Sequence, residues 1–261
     1  MEMNDAPVPA PPGPGDAAYP GRTAPGCATL TALDAAVAGC RACPRLVDWR
    51  EQAARQAPPA HRAERYWARP VPGLGPPDAS IALVGLAPSA HGGNRTGRMF
   101  TGDPSGDVLI RALYEVGLAS GPTSRAADDG LRLLDTRITA PVHCAPPENA
   151  PTTAERDTCR PWLTAELGLL APRLRVIVCL GGFGWRALLP VLRAAGRQVP
   201  RPQPVFGHGA HTLLAGGAGL PPLHLLGCYH PSRRNMATGT LTAPMLTDLL
   251  RRARELAADS G

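Results

Sequence analysis

Four of the seven cysteines have a spacing that suits metal binding. Cys40 and Cys43 lie in CRACP, where a two-residue spacer lets both thiolates face one metal. Cys144 ends a predicted strand and Cys159 lies in the next predicted helix, so the chain can fold back to complete a four-thiolate set. Such a set in a cytoplasmic protein indicates zinc or an iron-sulfur cluster rather than disulfides, with unligated thiols as the alternative.

A glycine-rich loop, GLAPSAHGGNRTGRMFTGD, occupies residues 85–103 and directly follows a short apolar run. Its glycines allow the backbone to approach a planar or anionic ligand closely. Asn94, Arg95 and Arg98 offer hydrogen-bond donors, and Phe100 offers a flat face. The loop matches neither the Walker nor the GxGxxG pattern. A permissive surface turn is the alternative interpretation.

A second polar loop, HPSRRNMATGTLT, begins at His230, directly after another apolar run. Arg233 and Arg234 suit a phosphate backbone, and Met236 suits an apolar wedge between bases. His230 is either part of this site or a buried structural histidine with its hydrogen bonds satisfied. A third loop, CAPPENAPT, holds Asn149 in a rigid proline frame.

Short apolar runs alternate with helical patterns along most of the chain, which predicts an α/β fold with a parallel sheet covered on both faces. The predicted strands lie within residues 81–86, 131–144, 174–182 and 222–231. The predicted helices lie within residues 29–40, 103–118, 152–170, 185–196 and 243–258. Because ligands bind at the carboxyl ends of such strands, the three loops are expected at one edge of the sheet.

The composition bounds the architecture and the partners. Residues 1–26 are rich in Pro, Ala and Gly and are predicted to be a disordered tail, which leaves residues 27–261 as a single domain. No signal peptide or membrane span is predicted, so a soluble, cytoplasmic protein is expected. The formal charge of +6 comes from 27 basic residues, all of them arginine, and permits a nucleic-acid partner without demonstrating one.

The three loops, together with the cysteine spacing, resemble the family 5 (B-type) uracil-DNA glycosylases over about residues 29–257. The resemblance implies a three-layer α/β/α sandwich with a central four-stranded parallel sheet. It implies a 4Fe-4S cluster on the four cysteines, and this favours iron over zinc. It further implies excision of uracil from DNA by N-glycosidic bond hydrolysis, which leaves an abasic site in base excision repair. The expected protein is a nucleoid-associated monomer acting on double-stranded DNA, and single-stranded DNA stays open.

The resemblance also implies roles for individual residues. His230 would stabilise the leaving base, and Phe100 would stack on it. The backbone of Gly85, Leu86, Ala87 and Pro88 would line the sugar. The DNA-binding candidates are the loop residues Ser232, Arg233, Arg234, Asn235 and Met236.

This sequence lacks a polar side chain where better-known glycosylase families carry one to position the attacking water. The middle positions of the GxxP motif are Leu86 and Ala87. Two explanations are open. Asn94, Asp103 or Asn149 positions the water, or the bond breaks largely by dissociation and water is captured late. Asp103 is equally a candidate for a helix cap.

The end of the second strand carries Ala140, where the related family 4 has an asparagine that reads the uracil edge. Looser base selection is therefore expected, extending to hypoxanthine and other deaminated or modified bases. The competing interpretation is a non-catalytic, metal-stabilised nucleic-acid-binding module. A phosphate hydrolase is disfavoured because lysine and paired metal-binding carboxylates are missing.

Overall fold

The fold is an α/β/α sandwich around one sheet, and the computed structural model describes residues 13–216 and 219–259 of it. The strands are β1 (Ile81–Val84), β2 (Thr136–Thr139), β3 (Val176–Leu180), β4 (His211–Leu214) and β5 (Leu223–Cys228). The helices are α1 (Tyr19–Thr23), α2 (Leu30–Gly39), α3 (Pro44–Arg55), α4 (Gly93–Thr96), α5 (Pro104–Glu115), α6 (Thr153–Leu170), α7 (Gly182–Ala194), α8 (Arg233–Ala237) and α9 (Ala243–Ala258). Single 3-10 turns cover Ala24–Gly26, Pro59–His61 and Pro147–Asn149.

The sheet has the strand order β2-β1-β3-β5-β4. The four predicted strands pair in parallel, which confirms the parallel core. The predicted count of four is wrong, because β4 adds a fifth, antiparallel strand beside β5. β4 is an edge strand with one buried residue, Leu214, and an exposed Leu213, so it lacks the continuous apolar run of its neighbours.

Helices cover both faces of the sheet, and alternate strand residues point to opposite sides. Ala82 and Val84 of β1 face a core formed with α2, α6 and α7. Ile81 and Leu83 face a second core formed with α5 and α9. This alternation confirms the predicted three-layer arrangement. Among the described residues, no helix is both long enough and apolar enough to cross a membrane.

The N-terminal segment corrects the predicted domain boundary. Residues 1–12 of the predicted disordered tail lie outside the described residues, whereas Tyr19–Thr23 forms α1. The Tyr19 ring meets the edge of Trp162 on α6 at a centroid distance of 5.8 Å, and Pro20 and Ala24 are buried. One ring and a few small apolar residues therefore suffice to dock this segment on α6.

Helix α3 was not predicted, although its start has a recognisable signal. Pro44 occupies its first turn, directly after Cys43, where proline costs no hydrogen bond. Only Leu46, Val47 and Ala53 provide buried apolar side chains, so the apolar face is narrow. The helix brings the long side chain of Arg50 into the protein interior.

Candidate active site

The three loops meet at the carboxyl edge of the sheet, as predicted, around a pocket of about 480 Å³. Gly85, Leu86, Ala87 and Pro88 line it directly after β1. Such a volume falls in the range of small-molecule sites and accommodates an extruded nucleotide. The lining also includes Phe100, Asp103, Ala140, Asn149, His230, Ser232, Arg233 and Arg234.

Glycine allows Phe100 to lie against the end of β1. A Cβ atom on Gly85 would stand 3.3 Å from Cε2 of Phe100, tighter than ordinary contact. Phe100 itself adopts a left-handed backbone with φ of 49°, which directs the ring into the pocket. Its ring centroid lies 6.1 Å from that of His230, with the ring planes 30° apart. These two rings form adjoining walls of the pocket.

His230 follows β5, and hydrogen bonds to its backbone carbonyl fix its position. Its carbonyl accepts hydrogen bonds from the backbone N–H of Ser232 at 2.7 Å and the side-chain amide of Asn235 at 2.9 Å. Burial lowers the pKa of His230, and the negative charge of Asp103 offsets part of that effect. The imidazole is therefore neutral at neutral pH and retains one N–H that can donate to a ligand.

Asp103 caps a helix, as expected for one of its two candidate roles, and it also lines the pocket. One carboxylate oxygen accepts from the backbone N–H of Gly106 at 2.9 Å and caps α5. The other accepts from the Ser89 hydroxyl at 2.5 Å. A Cβ atom on Gly92 would lie 2.1 Å from that second oxygen, so this contact requires glycine there. Although its carboxylate caps the helix, Asp103 also lines the pocket.

Asn149 lies in a tight turn after β2. Glu148 and Asn149 both have positive φ, at 55° and 54°, a conformation that asparagine tolerates better than most residues. Asn149 is exposed and lines the pocket. Its side-chain amide forms no hydrogen bond within the described part of the chain, so both its donor and its acceptor are available to a ligand.

Asn94 does not line the pocket, and its predicted catalytic role is wrong. It is fully buried and donates to the carbonyls of Arg50 at 3.1 Å and Ala90 at 3.3 Å. The two arginines of the loop also turn inward: Arg98 contacts Asp129 at 2.7 Å, and Arg95 pairs with Glu64. A loop with so much buried backbone uses these side chains to satisfy its own polar groups.

The loop after His230 divides into exposed and internal residues. Ser232 accepts from the Asn235 N–H at 3.2 Å and caps α8. Arg233 and Arg234 are exposed at the pocket rim, as a phosphate contact requires. Met236 is half-buried against the core beneath α5 and α9 and does not line the pocket, so its role as an apolar wedge stays a prediction. Its thioether packs onto neighbouring apolar side chains instead.

The four predicted cysteines line one small, mostly apolar cavity beside the pocket-forming loops. Arg50, only 1 % exposed, enters the same cavity. Its guanidinium donates to the Cys144 sulfur at 3.0 Å and to the Cys40 carbonyl at 3.3 Å. Its Nε has no partner, and no carboxylate pairs with this arginine among the described residues.

The chemistry of this cavity is that of four cysteine side chains beside one buried arginine. In the described residues, no three His, Cys, Asp or Glu side chains are grouped to hold a single ion. Burial raises the pKa of Cys43 to about 12 and that of Cys144 to about 11. Protonated thiols would leave the Arg50 charge buried without a counter-charge, which is costly. Deprotonated cysteines would supply that charge.

An aromatic cluster beside His230 was missed in the sequence. Trp185 and Phe206 lie edge to face at 5.9 Å, and Phe206 lies 6.2 Å from Tyr229. His208 lies 5.3 Å from the other side of Tyr229, between ring centroids. Tyr229 directly precedes His230. Trp185 lies on α7, Phe206 and His208 precede β4, and Tyr229 follows β5. These side chains meet only in the folded chain, so no local sequence pattern predicts the cluster.

Known proteins are similar in sequence to this chain. A family model described as the uracil DNA glycosylase superfamily matches residues 72–254. A type-5 uracil-DNA glycosylase of Mycobacterium tuberculosis is 52% identical over 232 residues, covering 89% of this chain and 83% of the relative. One from Thermus thermophilus is 50% identical over 218 residues, covering 84% and 94%. A type-4 uracil-DNA glycosylase of Pyrobaculum aerophilum is 31% identical over 169 residues, covering 64% and 74%. The chain is therefore a member of the uracil DNA glycosylase superfamily and, within it, of the type-5 family.

Proposed function

We propose that this protein excises uracil from DNA by hydrolysing the N-glycosidic bond and leaves an abasic site for base excision repair. The observation that carries the proposal is the convergence of Phe100, His230 and the bare backbone of Gly85 in one nucleotide-sized pocket. Its rim carries two exposed arginines that can hold a DNA backbone. The names and high identity of the type-5 relatives support the same activity.

The reaction begins with extrusion of the nucleotide from the helix, which costs a few kcal/mol of lost stacking and pairing. Arg233 and Arg234 offset that cost through phosphate contacts at the rim. The extruded base stacks on the Phe100 ring, and the backbone from Gly85 to Pro88 packs against the sugar. As the bond breaks, negative charge develops on the base, and the neutral His230 donates a hydrogen bond to it.

Two pocket residues remain as candidates for placing the water, now that Asn94 is excluded by its burial. The free side-chain amide of Asn149 can contact the water or the base edge. The Asp103 carboxylate is fixed by the α5 cap and by Ser89, and its negative charge favours the positive charge that develops on the sugar. Because Leu86 and Ala87 are apolar, these groups replace the polar residue of the GxxP motif.

The resemblance to family 5 and the unpaired charge of Arg50 support a 4Fe-4S cluster bound by Cys40, Cys43, Cys144 and Cys159. When bound, such a cluster would keep the four cysteines as thiolates and act as a rigid crosslink, and its role would be structural. The residues it joins include Cys144, which lies five positions before Asn149. Iron and acid-labile sulfide in the purified protein, with broad absorbance in the visible range, test this; stoichiometric zinc instead contradicts it.

The finer substrate range is also part of the proposal. Ala140 lines the pocket at the end of β2, is 2 % exposed, and offers a methyl group instead of a hydrogen bond to the base edge. A pocket without that polar partner discriminates weakly between bases, which supports excision of hypoxanthine beside uracil. We assign double-stranded DNA as the main substrate, single-stranded DNA as a secondary one, and a monomeric, nucleoid-associated protein.

An excision assay separates this function from that of a non-catalytic nucleic-acid-binding module. A duplex oligonucleotide with one uracil is incubated with the protein, and abasic sites are cleaved with alkali. We expect strand cleavage at the uracil only, with a loss of about 10²-fold or more in His230→Ala, as for removal of a transition-state donor. His211→Ala, on the edge strand and outside the pocket, is the matched control. Binding without alkali-labile sites would instead support the module.

A further inference from the structure

One continuous part of the chain is free of acidic residues. Residues 167–247 contain eight arginines and no aspartate or glutamate. This stretch includes α7, the segment 195–210, β4, β5 and the rim arginines after His230. Arg186, Arg233 and Arg234 of this stretch are exposed, and arginines without acidic neighbours in the sequence favour an anionic polymer as their partner.

Within this stretch, Val205 forms an exposed apolar tip. It is 84% exposed, more than any other large hydrophobic residue in the described chain. Both neighbours are fixed: the Pro204 carbonyl accepts from the Trp185 indole at 2.9 Å, and Phe206 packs against Trp185. Because the neighbouring residues are fixed, little conformational entropy of the backbone is lost when Val205 inserts into a partner.

The tip lies beside the active site and next to an arginine. Phe206 contacts Tyr229, the residue before His230, and a Cβ atom on Gly181 would lie 3.5 Å from the Cβ of His230. A Cβ atom on the next residue, Gly182, would stand 3.2 Å from Nη1 of Arg186 and 3.3 Å from the Phe206 ring. Arg186 is exposed and forms no ion pair with the described residues.

We propose that Val205 and Arg186 form a second duplex-DNA contact, separate from the rim arginines. Val205 packs into the minor groove next to the extruded nucleotide, and Arg186 binds a neighbouring phosphate. A DNA-binding surface of this kind needs an apolar side chain that inserts between bases, and Met236 is half-buried on the core and less available for that role than the exposed Val205. This inference rests on the proposed function, since it takes a uracil-containing duplex as the ligand. A protein partner is the competing occupant, and the absence of Asp and Glu from residues 167–247 favours DNA over it.

Equilibrium binding to a duplex that carries a non-cleavable uracil nucleotide tests the contact. We expect Val205→Ser to weaken binding about tenfold, as for loss of one buried apolar side chain, with an unchanged salt dependence. Arg186→Gln should instead reduce the slope of log K against log salt by about 0.9. The matched control is Leu213→Ser, which removes a side chain of 55% exposure from the edge strand and should bind as the parent does.

Excision from a single-stranded uracil oligonucleotide separates the two proposals. Val205→Ser should keep the parent rate there, because a single strand has no minor groove, and this also shows that the variant folds. If the parent excises uracil but Val205→Ser binds duplex with parent affinity, the contact is wrong while the proposed function stands. A change in self-association or protein capture without a change in duplex affinity likewise overturns it. If the parent excises nothing, the proposed function itself fails.

Discussion

The side-chain amide of Asn94 donates to the main-chain carbonyl of Arg50 at 3.1 Å, in the buried interior. The guanidinium of the same arginine reaches the Cys144 sulfur at 3.0 Å. One residue of α3 therefore joins the glycine-rich loop of the pocket to the cavity of the four cysteines. Whatever holds those cysteines in place also holds the loop that shapes the nucleotide pocket.

Replacing Asn94 should lower the stability of the fold rather than the rate of uracil excision. Asn94→Ala removes two buried hydrogen bonds, to Arg50 and Ala90, and leaves a small cavity. We expect the free energy of unfolding to fall by about 1–3 kcal/mol, measured by denaturant titration. Gln52→Ala, which removes an exposed amide from α3, is the control and should change stability little. A parent-like stability with abolished excision would return Asn94 to the catalytic candidates.

Arg50 should control how well the four cysteines hold the proposed cluster. Arg50→Met removes the only guanidinium that donates to Cys144 among the described residues. We expect less iron and sulfide per protein and weaker visible absorbance, with Arg50→Lys partly restoring both because it keeps the charge. Arg41→Met, which removes an exposed arginine beside Cys40, is the control. Full iron content in Arg50→Met would show that the buried charge is not needed.

Much of the fold was predictable from local patterns. Strands buried on both faces read as continuous apolar runs, and the parallel arrangement then brought Gly85, Asn149 and His230 to one edge. β4 was not predictable in the same way, because its stability comes from pairing with β5 rather than from an apolar run. The docking of Tyr19 on Trp162 also depends on a partner distant in sequence.

The site was predictable in its residue types but not in the direction of every side chain. Asn94 and Met236 have the chemistry of pocket residues, yet both turn inward to satisfy or fill the interior. Asp103 shows the opposite case, since one carboxylate both caps α5 and lines the pocket. Val205 carries no motif at all, and only its exposure in the folded chain marks it.

The variant Asp103→Asn distinguishes the helix-capping role of Asp103 from the role of its negative charge in the pocket. Asparagine caps helices about as well as aspartate, so stability should change by less than about 0.5 kcal/mol in thermal unfolding. Loss of the negative charge should lower the single-turnover excision rate by about 10²-fold. The matched control is Thr242→Ala, which removes the cap of α9 away from the pocket. That variant should lose stability and keep the rate, and a parent-like rate in Asp103→Asn would assign Asp103 to the cap alone.

Two paired histidines should make stability depend on pH. Nε2 of His211 lies 2.9 Å from Nδ1 of His224, and Arg252 contacts His211 at 3.2 Å. Burial, followed by the charge of Arg252, lowers both pKa values from 6.5 in the folded protein. The unfolded chain therefore binds more protons below about pH 6.5, and stability falls as the pH drops through the lowered folded pKa values.

The measurement for this pair is the thermal midpoint between pH 7.5 and pH 5. We expect the midpoint to fall on acidification in the parent and to fall less in the double variant His211→Gln/His224→Gln. Other histidines with lowered pKa, such as His230, preserve part of the effect. His61→Gln, a half-buried position paired with Glu64, is the control. An identical acid response in parent and double variant would contradict the assignment.

The rim arginines should strengthen DNA binding through their charge, whichever base lies in the pocket. Arg233 and Arg234 are exposed, border the pocket, and form no ion pair with the described residues. Each phosphate contact on duplex DNA contributes about 0.9 to the slope of log K against log salt. Arg233→Gln and Arg234→Gln should therefore each flatten that slope by about one unit and weaken uracil and hypoxanthine duplexes equally.

The control for this prediction is Arg173→Gln, an exposed arginine three residues before β3 and hence at the opposite edge of the sheet. It should leave the salt slope unchanged, although it removes the same formal charge from the protein. Equal flattening in Arg173→Gln would mean that net charge attracts the DNA without a defined contact. A loss that differs between the two bases would instead place an arginine on the base edge, because phosphate contacts carry no direct sequence information.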